Sequence, residues 1–215
     1  MPNTTHTGGG VALLHDPGSV KRAMRARIRA ERRHRLEQER SELALALAAV
    51  VMELPEVAAA RCVACYASMP GEPGTAPLRS ALHRSGTRVL LPVVLPDGHL
   101  EWAEDDGELV PTPGPGGPEP TGPRLGLEGI GQAQVVLVPA LAVDTLGNRL
   151  GQGAGFYDRT LRMIEPTVTV FAMVYENEVL DAAIEPVPAE AHDRPVDAVL
   201  TPRRHLRLPP RRWFS

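Results

Sequence analysis

Glycine recurs at positions 151, 153 and 155, with Arg149 entering the stretch and Asp158 leaving it. A glycine-rich turn that opens a helix gathers backbone N–H groups and the positive helix end at one point, which suits an anion. A guanidinium and a carboxylate beside that point add a cation for phosphate and an oxygen ligand for a metal. The spacing fits neither common phosphate motif. A P-loop requires Lys-Ser or Lys-Thr after its last glycine, where Phe156 stands here. The dinucleotide fingerprint sets its last two glycines three apart, and here they are two apart. Taken alone, the glycines also suit a plain tight turn. A second concentration of charge lies nearer the N-terminus, where Lys21, Arg25 and Arg29 fall four apart beside the apolar seam Val20, Met24 and Ile28. Eight of the fifteen residues from Lys21 to Arg35 are basic against one acid, Glu31. Such a helix presents a solvated basic face, a site for a phosphorylated small molecule, or a nucleic-acid surface. No aromatic residue interleaves the arginines and Glu37, Glu39 and Glu42 follow at once, so nucleic acid is the least favoured partner.

The whole string is more specific than its glycines. Asp144-x-x-Gly147-x-Arg149-Leu150-Gly151-x-Gly153-x-Gly155-Phe156-Tyr157-Asp158 resembles the signature of the 5-formyltetrahydrofolate cyclo-ligase (methenyltetrahydrofolate synthetase) family, and the resemblance extends from Lys21 to Thr201. It implies an α/β fold, a single three-layer domain with a mostly parallel, Rossmann-like central sheet. It also implies ATP-driven cyclisation of 5-formyltetrahydrofolate to 5,10-methenyltetrahydrofolate. By that resemblance Lys21-Arg22-Ala23-Met24-Arg25 matches a Lys-x-x-x-Arg helix whose two ends face the phosphates of ATP. Arg149, Leu150, Gly151, Gln152, Gly153, Ala154, Gly155, Phe156 and Tyr157 complete the expected ATP side, with Gln152 to Phe156 lying between nucleotide and folate. Lys21, Arg149 and Tyr157 are the expected catalytic residues. Met69, Glu72 and Gly74 match a folate-binding loop, except that Gly74 stands where the family carries an acid. Pro118-Glu119-Pro120 is similar to a turn beside the substrate pocket. Asp158 and Asp193 match the pair that holds Mg²⁺, while His192 is expected to make a structural hydrogen bond because magnesium prefers oxygen.

The chemistry of the residues agrees. A formyl amide oxygen is a poor leaving group, so it must be phosphorylated before N10 can attack the carbon and phosphate can depart. Such a transfer needs a metal across two phosphates, cations for developing charge and N–H groups on the transferred group. Lys21, Arg25, Arg149, the 151–155 loop and the two aspartates can supply these, and no nucleophilic side chain is required. Another kinase-like or sugar-phosphate enzyme would use similar parts, and an arginine-rich nucleic-acid protein would use only the basic helix.

These residues need elements to position them. Ser19 reads as the N-cap of a helix running to about Arg35, and the 41–54 stretch continues as an apolar helix ended by Pro55. Strands are expected over 61–68, 88–94, 99–103, 167–174 and 198–201, with Val135 to Val138 reading as a strand buried on both faces. A helix from about Ala76 to Ser85, another from Phe156 to Ile164 and a short one from Asn177 to Ala183 complete the pattern. Six prolines and five glycines between Gly107 and Arg124 exclude regular structure there. Trp102 serves either as a hydrophobic plug or as a platform for a pterin. Cys62 and Cys65 have metal or redox spacing, but no further Cys or nearby His completes a set, and residues three apart in a strand face opposite ways. Two inert buried thiols are therefore expected. Residues 1–18 read as a tail, 19–202 as the catalytic domain and 203–215 as a basic C-terminal tail. With 215 residues, a formal net charge of -3 and no apolar run longer than the ten residues from Leu43 to Met52, one sizeable domain and no membrane span are expected. No basic residue precedes Lys21, so a cytoplasmic monomer without a secretory signal is expected, acting on ATP and a reduced folate.

Of 23 basic residues only Lys21 is lysine, so arginine would have been the easy choice there. Lys21→Arg keeps charge and helix propensity, yet a wide guanidinium cannot occupy the point of a compact ammonium. Turnover should fall at least about tenfold, on the order of 1.4 kcal/mol, while stability moves by less than roughly 0.5 kcal/mol. Arg22→Lys is the control and should be silent; equal steady-state kinetics for all three proteins would remove Lys21 from the phosphates.

Overall fold

Val135 to Val138 lie at the middle of the molecule, and their side chains alternate between two separate apolar clusters. Val135 and Leu137 join one, Val136 and Val138 the other. This is why the run has no polar position: a strand covered on both faces must be apolar at every residue. The computed structural model describes residues 16–114, 116–190 and 193–209, so His192 and most of the expected N-terminal tail lie outside the described residues.

In chain order the elements are helices α1 (Pro17–Arg33), α2 (Glu37–Met52) and α3 (Pro55–Ala59), strand β1 (Cys62–Ala64), helix α4 (Ala76–Arg84) and strands β2 (Arg88–Val94) and β3 (Leu100–Glu104). A small hairpin follows, β4 (Leu109–Val110) with β5 (Glu119–Pro120), then β6 (Arg124–Gly126) and a 3-10 turn over Leu127–Gln132. Next come β7 (Val135–Pro139), β8 (Ala142–Asp144), β9 (Arg149–Leu150), α5 (Phe156–Leu161) and β10 (Thr169–Met173). The chain closes with β11 (Val179–Leu180), β12 (Ala198–Leu200) and β13 (His205–Arg207). The main sheet runs β13-β12-β10-β7-β1-β2-β3-β6. Its five central strands, from β12 to β2, are mutually parallel, and the outer pairings are antiparallel. Helices α2 to α4 cover one face through Leu47, Val51, Val57, Leu78 and Leu82. On the other face Trp102 of β3 packs with Ile130, Leu161 and Ile164, which cover it. The expected mostly parallel α/β sheet is therefore present. Trp102 is fully buried in that second cluster, which makes it a plug. Among the described residues no helix is long and apolar enough to cross a membrane.

Several boundaries differ from expectation. Asp16, not Ser19, caps α1: its carboxylate accepts hydrogen bonds from the N–H groups of Gly18 and Ser19, and Pro17 fits the first helical turn. Pro55 opens α3, because α2 has already ended at Met52. The 107–124 stretch does contain regular structure, since β4 and β5 need only two residues each and an edge position tolerates Pro120. Where a helix was expected over 177–183, a 3-10 turn gives way to β11, whose pairing with β8 satisfies its backbone instead. His205 to Arg207, assigned to the C-terminal tail, form the sheet's edge strand. Cys62 and Cys65 are buried free thiols on opposite faces, and burial pushes the Cys65 thiol up to about 12. A thiol so raised is inert at neutral pH.

Helix α1 lies apart from the two layers, packing Met24 and Ile28 on Leu141, Leu150, Leu180 and Val187. Its C-terminal end is anchored by Arg32, whose Nε and Nη2 meet the two carboxylate oxygens of Glu178 at 2.7 Å each while Nη2 also donates to Ala140 O at 2.6 Å. Both side chains are almost fully buried. Burial opposes the charge on Arg32, but the Glu178 carboxylate outweighs it and holds the guanidinium above its ordinary value. Removing one partner of such a pair strands the other charge in the interior. Glu178→Ala should therefore lower stability by about 3–5 kcal/mol, measured as the urea midpoint at unchanged m-value. A loss within roughly 0.5 kcal/mol, as at an ordinary surface position, would show that the pair anchors nothing.

Candidate active site

β1 connects onward to β2 on one side, whereas β7 lies on the other side of β1. The segments leaving the ends of β1 and β7 therefore diverge and open a crevice at the carboxyl ends of the parallel strands, the usual place for a ligand in an open α/β sheet. Tyr66, Ala67, Met69 and Glu72 form one wall of this cleft. Pro139 and the segment from Arg149 to Asp158 form another, Pro92, Val94 and Leu100 a third, and Lys21, Arg25, Glu190 and Asp193 stand at its margin. Its volume is about 270 Å³, near the lower limit of roughly 300 Å³ for small-molecule pockets. A cavity of that size suits one compact group, with any longer ligand extending along the margins.

The glycine loop does not follow β7 directly. The chain first makes the β8–β9 hairpin, held by the fully buried carboxylate of Asp144. That carboxylate accepts from Leu146 N, Asn148 N, Asn148 Nδ2 and Val187 N at 2.7–3.0 Å. The hairpin delivers Arg149 into the cleft with its side chain only 5% exposed. Arg149 pairs with Asp158, and its guanidinium carbon lies 5.9 Å from the centre of the Tyr157 ring. Its Nε is buried with no hydrogen-bond partner. A Cβ at Gly151 would come within 2.9 Å of Arg149 Nη1, closer than such atoms normally approach, so this glycine makes room for the guanidinium. Gly153 and Gly155 have φ of +109° and +71°, and Gly155 caps α5 in the left-handed conformation.

Helix α1 brings its basic seam onto this loop. Arg25 Nε donates to Gly151 O at 2.9 Å, and burial together with Arg29 lowers its affinity for the proton. Arg29 makes three contacts to Gln152, from Nε and Nη2 to Oε1 and from Nη2 to the main-chain oxygen. Lys21 Nζ lies 3.3 Å from Glu190 and 3.4 Å from Asp193. From the stretch 21–25, only Lys21 and Arg25 line the cleft. Arg22 is exposed and beside Asp16, Ala23 is exposed, and Met24 is in the apolar contact under the helix.

The loop after β1 is set by Thr75, whose hydroxyl donates to Tyr66 O at 2.7 Å, and by Tyr175, whose hydroxyl donates to Glu72 O at 3.1 Å. Glu72 is nearly buried and accepts from Gln152 Nε2 at 3.2 Å and Met69 N at 3.0 Å. Burial pushes its carboxyl above the ordinary range in spite of those bonds and of Arg32. Gly74 does not line the cleft. A Cβ there would stand 2.8 Å from Ala44 Cβ, so α2 approaches too closely for the acid that the resemblance leads one to expect. The Tyr157 hydroxyl is buried without a partner, and burial raises the phenol well above its ordinary value, with Glu72 and Cys65 adding to the effect. Glu190 joins the margin without having been singled out from the sequence; its one signal is an acid three residues before Asp193. Leu150, Ala154 and Phe156 complete the loop wall.

A mostly parallel open sheet with a cleft at its switch point, edged by Lys21, Arg25 and Arg149 and by Asp158, Glu190 and Asp193, defines the class, an α/β protein with the usual small-molecule crevice of such sheets. Within it, the chain belongs to the 5-formyltetrahydrofolate cyclo-ligase family, whose profile matches residues 17–202. The 5-formyltetrahydrofolate cyclo-ligase of Mycolicibacterium smegmatis is 45% identical over 152 residues, 68% of this chain and 76% of that protein. The Escherichia coli enzyme of the same name is 33% identical over 184 residues, 82% of this chain and 97% of that protein. The solved structure of Aquifex aeolicus 5,10-methenyltetrahydrofolate synthetase superposes with a TM-score of 0.73 at 26% identity, covering 91% of this chain and 96% of that one. The Mycoplasma pneumoniae 5,10-methenyltetrahydrofolate synthetase shares the fold with a TM-score of 0.67, 19% identity and coverage of 85% and 99%.

At Gly155 an added Cβ meets only Arg159 Nη1, at an ordinary 3.7 Å, so the constraint is the backbone angle. Gly155→Val forces a branched residue into the left-handed region at a cost of about 1–3 kcal/mol, or else turns the N–H groups away from the cleft. We expect nucleotide affinity, read by calorimetry, to fall more than thermal stability. A drop in melting temperature with full nucleotide affinity would reduce Gly155 to a turn residue.

Proposed function

We infer that this chain uses ATP to close 5-formyltetrahydrofolate into 5,10-methenyltetrahydrofolate, releasing ADP and phosphate. Beside the family membership, the observation that carries this reading is convergence. Lys21 and Arg25 from α1, Arg149 from the hairpin, the 151–155 backbone and the carboxylates of Asp158 and Asp193 all reach one cleft. In the reaction the formyl oxygen takes the terminal phosphoryl group and ADP leaves. The N10 lone pair then attacks the formyl carbon, the C–O bond breaks to release phosphate, and N10 gives up its proton.

Each chain element has a task in this sequence. Lys21, Arg25 and Arg149 balance the charge that builds on the phosphoryl oxygens, and the loop N–H groups orient the transferred group. A low-dielectric wall from Tyr66, Ala67, Pro92, Val94 and Leu100 keeps water from the activated formyl group. Met69 and Glu72 face the folate, with Glu72 taking the carboxylate role that Gly74 cannot fill. Gln152 stands between the two co-substrates, and the unpartnered Tyr157 hydroxyl is available as a donor to the reacting group.

Mg²⁺ commonly takes one or two carboxylates and completes its shell with water and substrate phosphates. Asp158 and Asp193 fit that donor set, although Arg149 and Lys21 now engage them. Among the described residues no group of three or more His, Cys, Asp or Glu gathers, so water and phosphate would supply the other ligands. Bound there, the ion would neutralise nucleotide phosphate charge.

Incubation with ATP, magnesium and 5-formyltetrahydrofolate should produce the methenyl chromophore, and a panel of sugar and alcohol substrates should not consume ATP. Absence of the chromophore under conditions where ATP binds would overturn the reading. Asp158→Asn keeps the shape but carries no charge for a metal. Its kcat should fall by about 100-fold or more, the scale of losing one preorganised electrostatic contact, with circular dichroism unchanged. Near wild-type activity with the same magnesium dependence would rule out the metal role.

A further inference from the structure

The basic seam of α1 does not stop at Arg29. Arg33 lies one further step of four along the helix, so Lys21, Arg25, Arg29 and Arg33 form one row. Each step of four advances the row by about 40° around the helix axis, so its two ends face directions about 120° apart. The ends accordingly reach different places. Lys21 and Arg25 edge the cleft, whereas Arg29 and Arg33 line a second, open groove between α1, α2 and the loop after β1, where Arg40 also projects.

This groove is continuous with the cleft, because Met69, Glu72 and Gln152 line both. Its charge is lopsided. Glu72 is the one acid among its lining residues, and burial already raises that carboxyl. Arg32 is consumed by Glu178, and Arg29 is occupied with the neutral Gln152. Arg40 donates from Nη1 to Arg35 O at 3.0 Å and from Nη2 to Glu37, an acid 90% exposed and so weakly held. Arg33 is exposed and meets no carboxylate among the described residues.

We propose that the Arg29, Arg33 and Arg40 groove is an anion subsite that takes the glutamate carboxylates at the far end of the folate substrate. The proposal rests on the cyclo-ligase reading and extends it. The cleft holds only a compact ring system, and the folate side of it is marked by Met69 and Glu72, the residues it shares with the groove. A ligand with its ring against Glu72 and a flexible dicarboxylate tail passing Gln152 meets the guanidinium groups in order. Arginine suits this task because its planar fork matches a carboxylate. The same row of cations thus serves phosphates at one end and carboxylates at the other.

The test compares 5-formyltetrahydrofolate with 5-formyltetrahydropteroate, which lacks the glutamate, in wild type, Arg33→Ala and Arg33→Lys. In wild type, loss of the glutamate should raise KM at unchanged KM for ATP. In Arg33→Ala the KM for 5-formyltetrahydrofolate should rise about threefold or more, the scale of an exposed ion pair. The KM for the pteroate should stay put, and Arg33→Lys should recover part of the difference. Raising the salt from 50 to 500 mM should shrink the wild-type preference, since exposed charges are screened. A merely structural arginine would shift both substrates together, and that result, or no shift in either, overturns the subsite. Failure of wild type to form the methenyl product from either substrate would instead overturn the reaction itself.

Discussion

The geometry of the cleft depends on a buried ion pair that does not line it. Arg32 and Glu178 join bidentately, and Arg32 also grips Ala140 O, immediately after the chain leaves β7. Burying two charges is costly, and apolar residues of similar size would often serve stability as well. What the pair supplies is direction. Lys21 lies eleven residues up the helix from Arg32, roughly 16 Å at the α-helical rise. A tilt of about 10° at that anchor would displace the lysine by roughly 3 Å, the length of a whole hydrogen bond. The fork-to-fork pair resists such rocking together with the apolar contacts of Met24 and Ile28.

From that anchor the polar network passes inward without a break. Glu178 accepts from Tyr175 N, the Tyr175 hydroxyl donates to Glu72 O, and the Glu72 carboxylate accepts from Gln152, which Arg29 holds. The loop after β1 and the glycine loop are therefore tied to each other and to the helix that carries the cations. Buried polar chains of this kind fix geometry through the bonds they make, and here only Nη1 of Arg32 is left buried without a partner among the groups of this chain. The unsatisfied groups among the described residues include Arg149 Nε and the Tyr157 hydroxyl, and both belong to residues of the cleft wall.

The charges around the cleft are arranged as exchangeable pairs. Lys21 faces Glu190 and Asp193, and Arg149 faces Asp158. Each cation suits phosphate and each aspartate suits a divalent ion, so a metal–nucleotide complex would trade partners across both pairs with little change in net charge. The groove beyond Gln152 has no such balance, with Glu72 the one acid among its lining residues.

The sequence by itself determined the features that rest on local chemistry. Apolar runs without polar interruption marked the central strands, glycine spacing marked the loop, and the four-residue spacing of Lys21, Arg25 and Arg29 placed them on one helical face. Periodicity and turn chemistry act over a few residues, so they can be read without a fold. Tertiary structure decided what depends on distant neighbours. Arg22 and Ala23 share a motif with Lys21 but face solvent, because the helix is docked through Met24 and Ile28. Gly74 is excluded from the cleft by Ala44, thirty residues earlier. Stretch 177–183 became a turn and a strand because β8 offered a pairing partner. Arg32 looked like one basic residue among eight until Glu178, 146 residues away, made it the anchor. Contacts of that span carry no local pattern; their energy exists only once the chain has closed on itself.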